Sequence, residues 1–122
     1  MPSPTFVLLY VDNPPASGGF YADLLGMPPV ETSLTFVLFA LDGGLMLGLW
    51  SRHTAEPSAA APGGGELAFT AADAAAVDAR HADWVARGLR MLQTPTDLDF
   101  GRTFVALDPD GHRLRVFAPR PE

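Results

Sequence analysis

Apolar residues recur along this chain with two alternating periods, and the order in which those periods alternate occurs twice. Thr5 to Val11 is a mostly apolar run of β-formers, the pattern of a strand buried on both faces. Its period of two puts Phe6, Leu8 and Tyr10 on one face and Val7, Leu9 and Val11 on the other. Asp12-Asn13-Pro14-Pro15 then stops the strand and opens a helix, with Asn13 as N-cap and Pro14 at the first helical position, where a missing N–H costs nothing. Phe20, Leu24 and Leu25 give this helix an apolar stripe, and Gly26 is its terminator. Gly18 and Gly19 within it cost about 1 kcal/mol each relative to alanine, so the helix depends on packing against a sheet. Pro28 to Glu31 reads as a short edge strand, and Phe36 to Trp50 as a hairpin closed by Gly43-Gly44.

From Ser51 to Gly65 the composition shifts to Ser, Ala, Pro and three consecutive glycines, which predicts a solvated, mobile linker. The pattern then restarts. Glu66 to Thr70 reads as a strand, and Asp73 to Arg87 as a helix ended by Gly88. Val77, His81, Trp84 and Val85 share its apolar face, which makes His81 a packed, hydrogen-bonded residue at the core edge. Arg90 to Gln93 is a short strand and Thr94 to Arg102 a polar loop. Gly101 to Phe117 is a second hairpin, whose arms flank Asp108-Pro109-Asp110-Gly111. Phe-Ala-Leu-Asp at 39–42 matches Val-Ala-Leu-Asp at 105–108, each followed by a glycine-containing turn. Each half is therefore strand–helix–strand–strand–strand. The expectation is an α+β fold, a single domain over residues 1–122 with one module at about 1–50, the linker at 51–65 and a second module at about 66–122. Two such modules would present curved mixed sheets around a cleft suited to a small molecule.

Composition narrows the partners. The 48% apolar share with 18% charged residues excludes disorder, and the absence of cysteine excludes disulfides, thiolate metal sites and cysteine nucleophiles. The net charge of −6, without a basic cluster, makes nucleic acid and anionic membranes poor partners, whereas a neutral or cationic small molecule meets no long-range repulsion. No apolar run reaches spanning length and the start lacks a signal-peptide layout, so a soluble, cytoplasmic protein is expected. Gly63-Gly64-Gly65 lacks the lysine of a phosphate loop, and no serine is patterned with a histidine and an aspartate for nucleophilic catalysis. Asp108 and Asp110 lie in a turn signature, where their expected role is to bind the turn backbone.

The duplicated module, Phe20-Tyr21 in the first helix, Leu25-Gly26-Met27 after it and Asp108-Pro109-Asp110-Gly111 before the last strand together resemble the vicinal oxygen chelate superfamily, which includes glyoxalase I, extradiol dioxygenases and bleomycin-resistance proteins. Within it, Phe100-Gly101-Arg102-Thr103-Phe104, Asp110-Gly111-His112, Arg115-Val116, Tyr10-Val11 and Leu49-Trp50-Ser51 are similar to the phenazine antibiotic-resistance proteins. The metalloenzymes of the superfamily place ligands at positions that here hold Phe6, Glu66 and Arg115. Phenylalanine cannot coordinate a metal and a guanidinium has no lone pair to offer, so the resemblance implies a member without metal or other cofactor. Glu66 and Arg115 would then face one another as a bridging ion pair, with Arg115 also able to meet a ligand carboxylate or carbonyl.

The same resemblance implies that Trp50 is a stacking platform for a planar ring, with Tyr10, Leu8, Phe6, Phe39, Met46 and Phe104 as an apolar lining. Tyr21 and Trp84 belong to the core. The function implied is non-enzymatic sequestration of a planar aromatic, phenazine-like antibiotic, by a homodimer. The alternative is a metal-dependent lyase, isomerase or dioxygenase with displaced ligands, which would need at least two of His53, His112, Asp97, Asp99 or Tyr10 to converge with Glu66. A third reading is an interaction module whose cleft is filled by its own side chains.

Overall fold

The computed structural model describes residues 2–121, which divide between Ala61 and Pro62 into two compact units. The first holds β1 (Phe6–Val11), α1 (Pro14–Leu25), β2 (Glu31–Thr32), β3 (Phe36–Ala40) and β4 (Met46–Ser51). The second holds β5 (Glu66–Thr70), α2 (Ala74–Ala86), β6 (Arg90–Leu98), β7 (Gly101–Leu107) and β8 (Arg113–Pro119). Each builds one four-stranded sheet, ordered β1-β4-β3-β2 and β5-β8-β7-β6. In both, the first and last strands of the unit pair in parallel and the remaining pairs are antiparallel. The identical order, with one helix per sheet, is the α+β βαβββ duplication expected from the sequence.

In unit 1, the Asn13 side chain accepts from the Ala16 N–H at 3.1 Å, and α1 ends at Gly26, whose φ of 68° lets its N–H return to the Ala22 carbonyl. Gly18 is buried because it is where the helix meets the sheet: a β-carbon there would lie 3.2 Å from Val37 Cγ1. The core under α1 contains Val11, Tyr21, Val37, Phe39, Leu47 and Leu49, each 1% exposed or less. Burying a residue of this kind contributes about 1.5–3 kcal/mol, enough to carry the two helical glycines.

In unit 2, Asp73 caps α2 by accepting from the Ala76 N–H at 2.8 Å. Trp84 packs edge-on against both Phe69 and Phe104, with centroids 5.8 and 5.4 Å apart. Val77 and Trp84 are buried, but Val85 is half exposed because it lies about 100° round the helix from Trp84. His81 departs from expectation too: its ring meets Phe104 edge-on at 5.3 Å, and its buried Nε2 has no hydrogen-bond partner among the described residues.

Three boundaries differ from the sequence reading, the first being the short edge strand read at Pro28 to Glu31, which is β2 at Glu31–Thr32. The residues from 94 onward, read as a polar loop, continue β6 to Leu98. Pro95 is tolerated there because β6 is an edge strand whose register shifts between Gln93 and Thr96. The start of the expected linker is a hydrogen-bonded turn: Arg52 donates its N–H to the Val11 carbonyl, and Thr54 and Ala55 donate theirs to Ser51. Asp12 joins this turn through His53 Nε2 at 2.7 Å and Arg52 Nη2 at 3.3 Å, hydrogen bonds that hold its carboxyl below the usual range. Among the described residues no helix is long and apolar enough to cross a membrane.

Candidate functional site

Each sheet covers one face with its helix, so strand parity decides which residues lie on the opposite face, which in unit 2 includes the buried Thr103 and Val105. In unit 1, β1 and β4 pair Phe6 with Met46, Leu8 with Gly48 and Tyr10 with Trp50, while β3 and β4 pair Phe36 with Trp50 and Leu38 with Gly48. These residues share the face opposite α1. Gly48 is its floor: a β-carbon there would lie 2.6 Å from Leu8 Cδ2 and 2.9 Å from Phe36 Cζ. Leu8 and Phe36 thus fold down over the glycine. Tyr10 and Trp50 stand beside them with centroids 6.1 Å apart and planes tilted by 43°. Phe6 is 51% and Leu8 43% exposed, so this apolar surface is not a core.

In unit 2, β5 and β8 pair Glu66 with Arg113 and Ala68 with Arg115, and β7 and β8 pair Val105 with Arg115 and Thr103 with Phe117. The face opposite α2 therefore carries Glu66, Thr103, Arg115 and Phe117. Arg115 Nε donates to Glu66 Oε1 at 2.5 Å and its Nη1 to Thr103 Oγ1 at 3.0 Å. The fully buried Thr103 hydroxyl donates in turn to the Val116 carbonyl at 2.9 Å. The Phe100 ring lies 5.9 Å from the guanidinium carbon and meets Phe117 edge-on at 6.1 Å.

Phe6, Leu8, Tyr10, Met46 and Trp50 are thus gathered on one face of unit 1, and Glu66 and Arg115 on one face of unit 2. Glu66 and Arg115 meet as neighbours on adjacent strands rather than across a gap. Phe104 is corrected. It pairs with Val116, opposite in parity to Arg115, and is fully buried against Trp84 and His81. Phe39 is displaced in the same way, pairing with Leu47 under α1. Phe36, Leu38 and Gly48 in unit 1, and Phe100, Thr103 and Phe117 in unit 2, were missed. Phe36 was legible in principle as the residue opposite Trp50, but only once the length of the intervening turn is known. Gly43-Gly44 belongs to a three-residue 3₁₀ turn, Asp42–Gly44, which moves the pairing by one from a two-residue loop.

The family's metal positions, Phe6, Glu66 and Arg115, do not make a metal site: one has no donor atom, and the other two bind each other. The displaced set fares no better within unit 2. Asp97 pairs at 3.1 Å with Arg102, which also bonds Asp78 of α2 at 2.7 Å; these two carboxylates raise the arginine's affinity for its proton, Asp78 most. His112 Nδ1 lies 2.8 Å from Asp108 Oδ2. Asp108, Asp110 and His112 bring ligand-type atoms within 4.8 Å of one another, but Asp108 Oδ1 already accepts from the N–H groups of Asp110 and His112. This cluster is the turn's own hydrogen-bond network, the role expected for Asp108.

Two further hollows lie away from these faces. One of about 430 Å³ at the start of α2 is edged by Asp73, Asp97, Arg102 and Arg120, charges that offset one another. One of about 420 Å³ in unit 1 is lined by Pro15, Gly18, Leu34 and Val37, with Thr32 and Ser33 as its polar residues. Neither contains the aromatic pair or the arginine.

Comparison with known proteins agrees with this fold. The sequence profile of the Glyoxalase/Bleomycin resistance protein/Dioxygenase superfamily matches residues 4–116. The phenazine antibiotic resistance protein EhpR of Enterobacter agglomerans is 31% identical over 117 residues, covering 93% of this chain and 90% of that protein. The solution structure of protein ATC0852 from Agrobacterium tumefaciens superimposes with a TM-score of 0.90 at 57% identity, covering 99% of this chain and all of that one. A glyoxalase-related enzyme from Fulvimarina pelagi shares the fold, with a TM-score of 0.83 at 22% identity over 97% of this chain and 88% of that one.

Proposed function

Because this chain belongs to the glyoxalase/bleomycin resistance protein/dioxygenase superfamily, we propose that it is a non-enzymatic binding protein that confers resistance by sequestering a planar aromatic, phenazine-like antibiotic. The observation that carries the reading is the bare face of unit 1: Trp50 and Tyr10 beside a floor that Gly48 keeps low enough for Leu8 and Phe36 to lie across it. Such a surface offers stacking and apolar burial, which supports a reading of holding rather than converting. EhpR, by its name a phenazine resistance protein, supplies the compound class. The reading includes a homodimer in which each protomer contributes its own face.

The test is a fluorescence titration with phenazine. Trp84 is buried in the unit 2 core, so a stacking ligand can touch only Trp50 of the two tryptophans, and the Trp50→Ala protein reports the Trp84 share of any quenching. Saturable quenching is expected in the native protein. Trp50→Ala is expected to weaken binding by about 1–3 kcal/mol, the usual loss when a stacking aromatic is truncated. Native affinity in the variant, measured by calorimetry, would remove Trp50 from the site, and absence of binding by native protein would end the proposal.

A further inference from the structure

Resting on that reading, we propose that the Tyr10–Trp50 face of unit 1 prefers an aromatic ligand carrying a carboxylate at its edge, and that Arg52 is the residue that receives it. Strand register places Arg52 there. β1 and β4 pair Tyr10 with Trp50 and end one step later at Val11 and Ser51. The Arg52 N–H bonds the Val11 carbonyl, so the next residues, Asp12 and Arg52, come level and their side chains meet. They follow Tyr10 and Trp50 by two residues, which returns them by alternation to the same face. Two residues of strand span about 6.6 Å, so the guanidinium stands beside the rim of a fused ring stacked on Trp50.

The turn that follows β4 does not need this guanidinium. It is closed by the backbone N–H groups of Arg52, Thr54 and Ala55, and by the His53 N–H on Ser51 Oγ at 3.2 Å. Asp12 Oδ1 accepts from His53 Nε2 at 2.7 Å and from Arg52 Nη2 only at 3.3 Å, so the histidine holds the carboxylate more closely than the arginine does. Among the described residues nothing accepts from Arg52 Nε or Nη1, and the side chain is 56% exposed. A contact with one carboxylate does not close an arginine to a second: Arg102 bonds Asp78 at 2.7 Å and Asp97 at 3.1 Å through different nitrogens. The net charge of −6 acts weakly at this spot, because physiological salt screens charges beyond about 8 Å and leaves groups as near as Arg52 to decide. A ligand carboxylate gains a charge-assisted hydrogen bond there, where a carboxamide of the same shape offers only a neutral acceptor.

Phenazine carboxylate and phenazine carboxamide, substituted at the same ring carbon, differ little in shape and by one charge at neutral pH. Both are titrated by calorimetry against native protein, Arg52→Gln and Arg52→Lys, with unsubstituted phenazine as reference. The native protein is expected to bind the carboxylate about fivefold more tightly than the carboxamide, the upper range for an exposed ion pair. Arg52→Gln is expected to abolish that preference while leaving phenazine affinity unchanged, and Arg52→Lys to keep part of it. Raising salt to about 1 M, where the screening length falls to about 3 Å, is expected to erase the preference in native protein. A native protein that binds the carboxylate no more tightly than the carboxamide overturns the inference. So does a natively folded Arg52→Gln, judged by circular dichroism, that keeps the preference or weakens all three compounds equally. Failure of all three to bind native protein removes the aromatic-binding reading on which the inference rests.

Discussion

Two glycines show how differently one missing side chain can act. At Gly101, φ is 143° and a β-carbon would lie 2.0 Å from the Ala118 carbonyl oxygen, a backbone atom that cannot swing aside. Gly101→Ala is therefore expected to cost about 2–4 kcal/mol, combining the penalty of an unfavourable φ with forced backbone movement, and to lower the urea midpoint accordingly. At Gly48 the obstructing atoms are the tips of Leu8 and Phe36, which can rotate away. Gly48→Ala should cost no more than about 1–2 kcal/mol of stability, yet lift both side chains off the floor and weaken phenazine binding. Equal loss of stability in the two variants would contradict this account. Neither role shows in the sequence, where one glycine sits in an apolar strand and the other reads as a loop residue. The cause in each case is an atom on a neighbouring strand.

At the scale of elements, the β7–β8 hairpin is the clearest case of local sequence chemistry deciding local structure. Asp108 accepts from two backbone N–H groups and from His112, and is almost wholly buried while doing so. Asp108→Ala would strip those donors of their acceptor, and a loss of about 2–4 kcal/mol in chemical denaturation is expected; a loss below 1 kcal/mol would mean that water replaces the carboxylate. Parity is the counter-example. Phe-Ala-Leu-Asp at 39–42 and Val-Ala-Leu-Asp at 105–108 align as text, but Phe39 faces α1 whereas Val105 lies on the face opposite α2 with Arg115. The residue beside Val105 in the chain, Phe104, takes the helix-facing role. The repeat marked the two strands as equivalent while standing one residue out of structural register, so it could not say which face Phe104 takes. Helix ends were more legible than strand faces, because the caps at Asn13 and Asp73 act within three residues of themselves.

For the whole molecule, each unit has its own aliphatic and aromatic core under its own helix, so the duplication is physical as well as textual. The proposed homodimer predicts a mass by light scattering of about twice the 13.0 kDa of the chain; a mass matching the single chain would exclude it. The α+β class and the strand–helix–strand–strand–strand order were determined by the sequence alone, since period, caps and turn residues act over short spans that can be read in order, and the superfamily was legible there only as a resemblance of motifs. The pairing of Glu66 with Arg115, suggested by their positions in the family, needed only two strand starts to be placed. Tertiary structure alone decided the extension of β6 through Pro95, the burial of Phe104 and the pairing of Phe36 with Trp50. Each depends on register between strands, where a single residue in a turn sends a side chain to the opposite face.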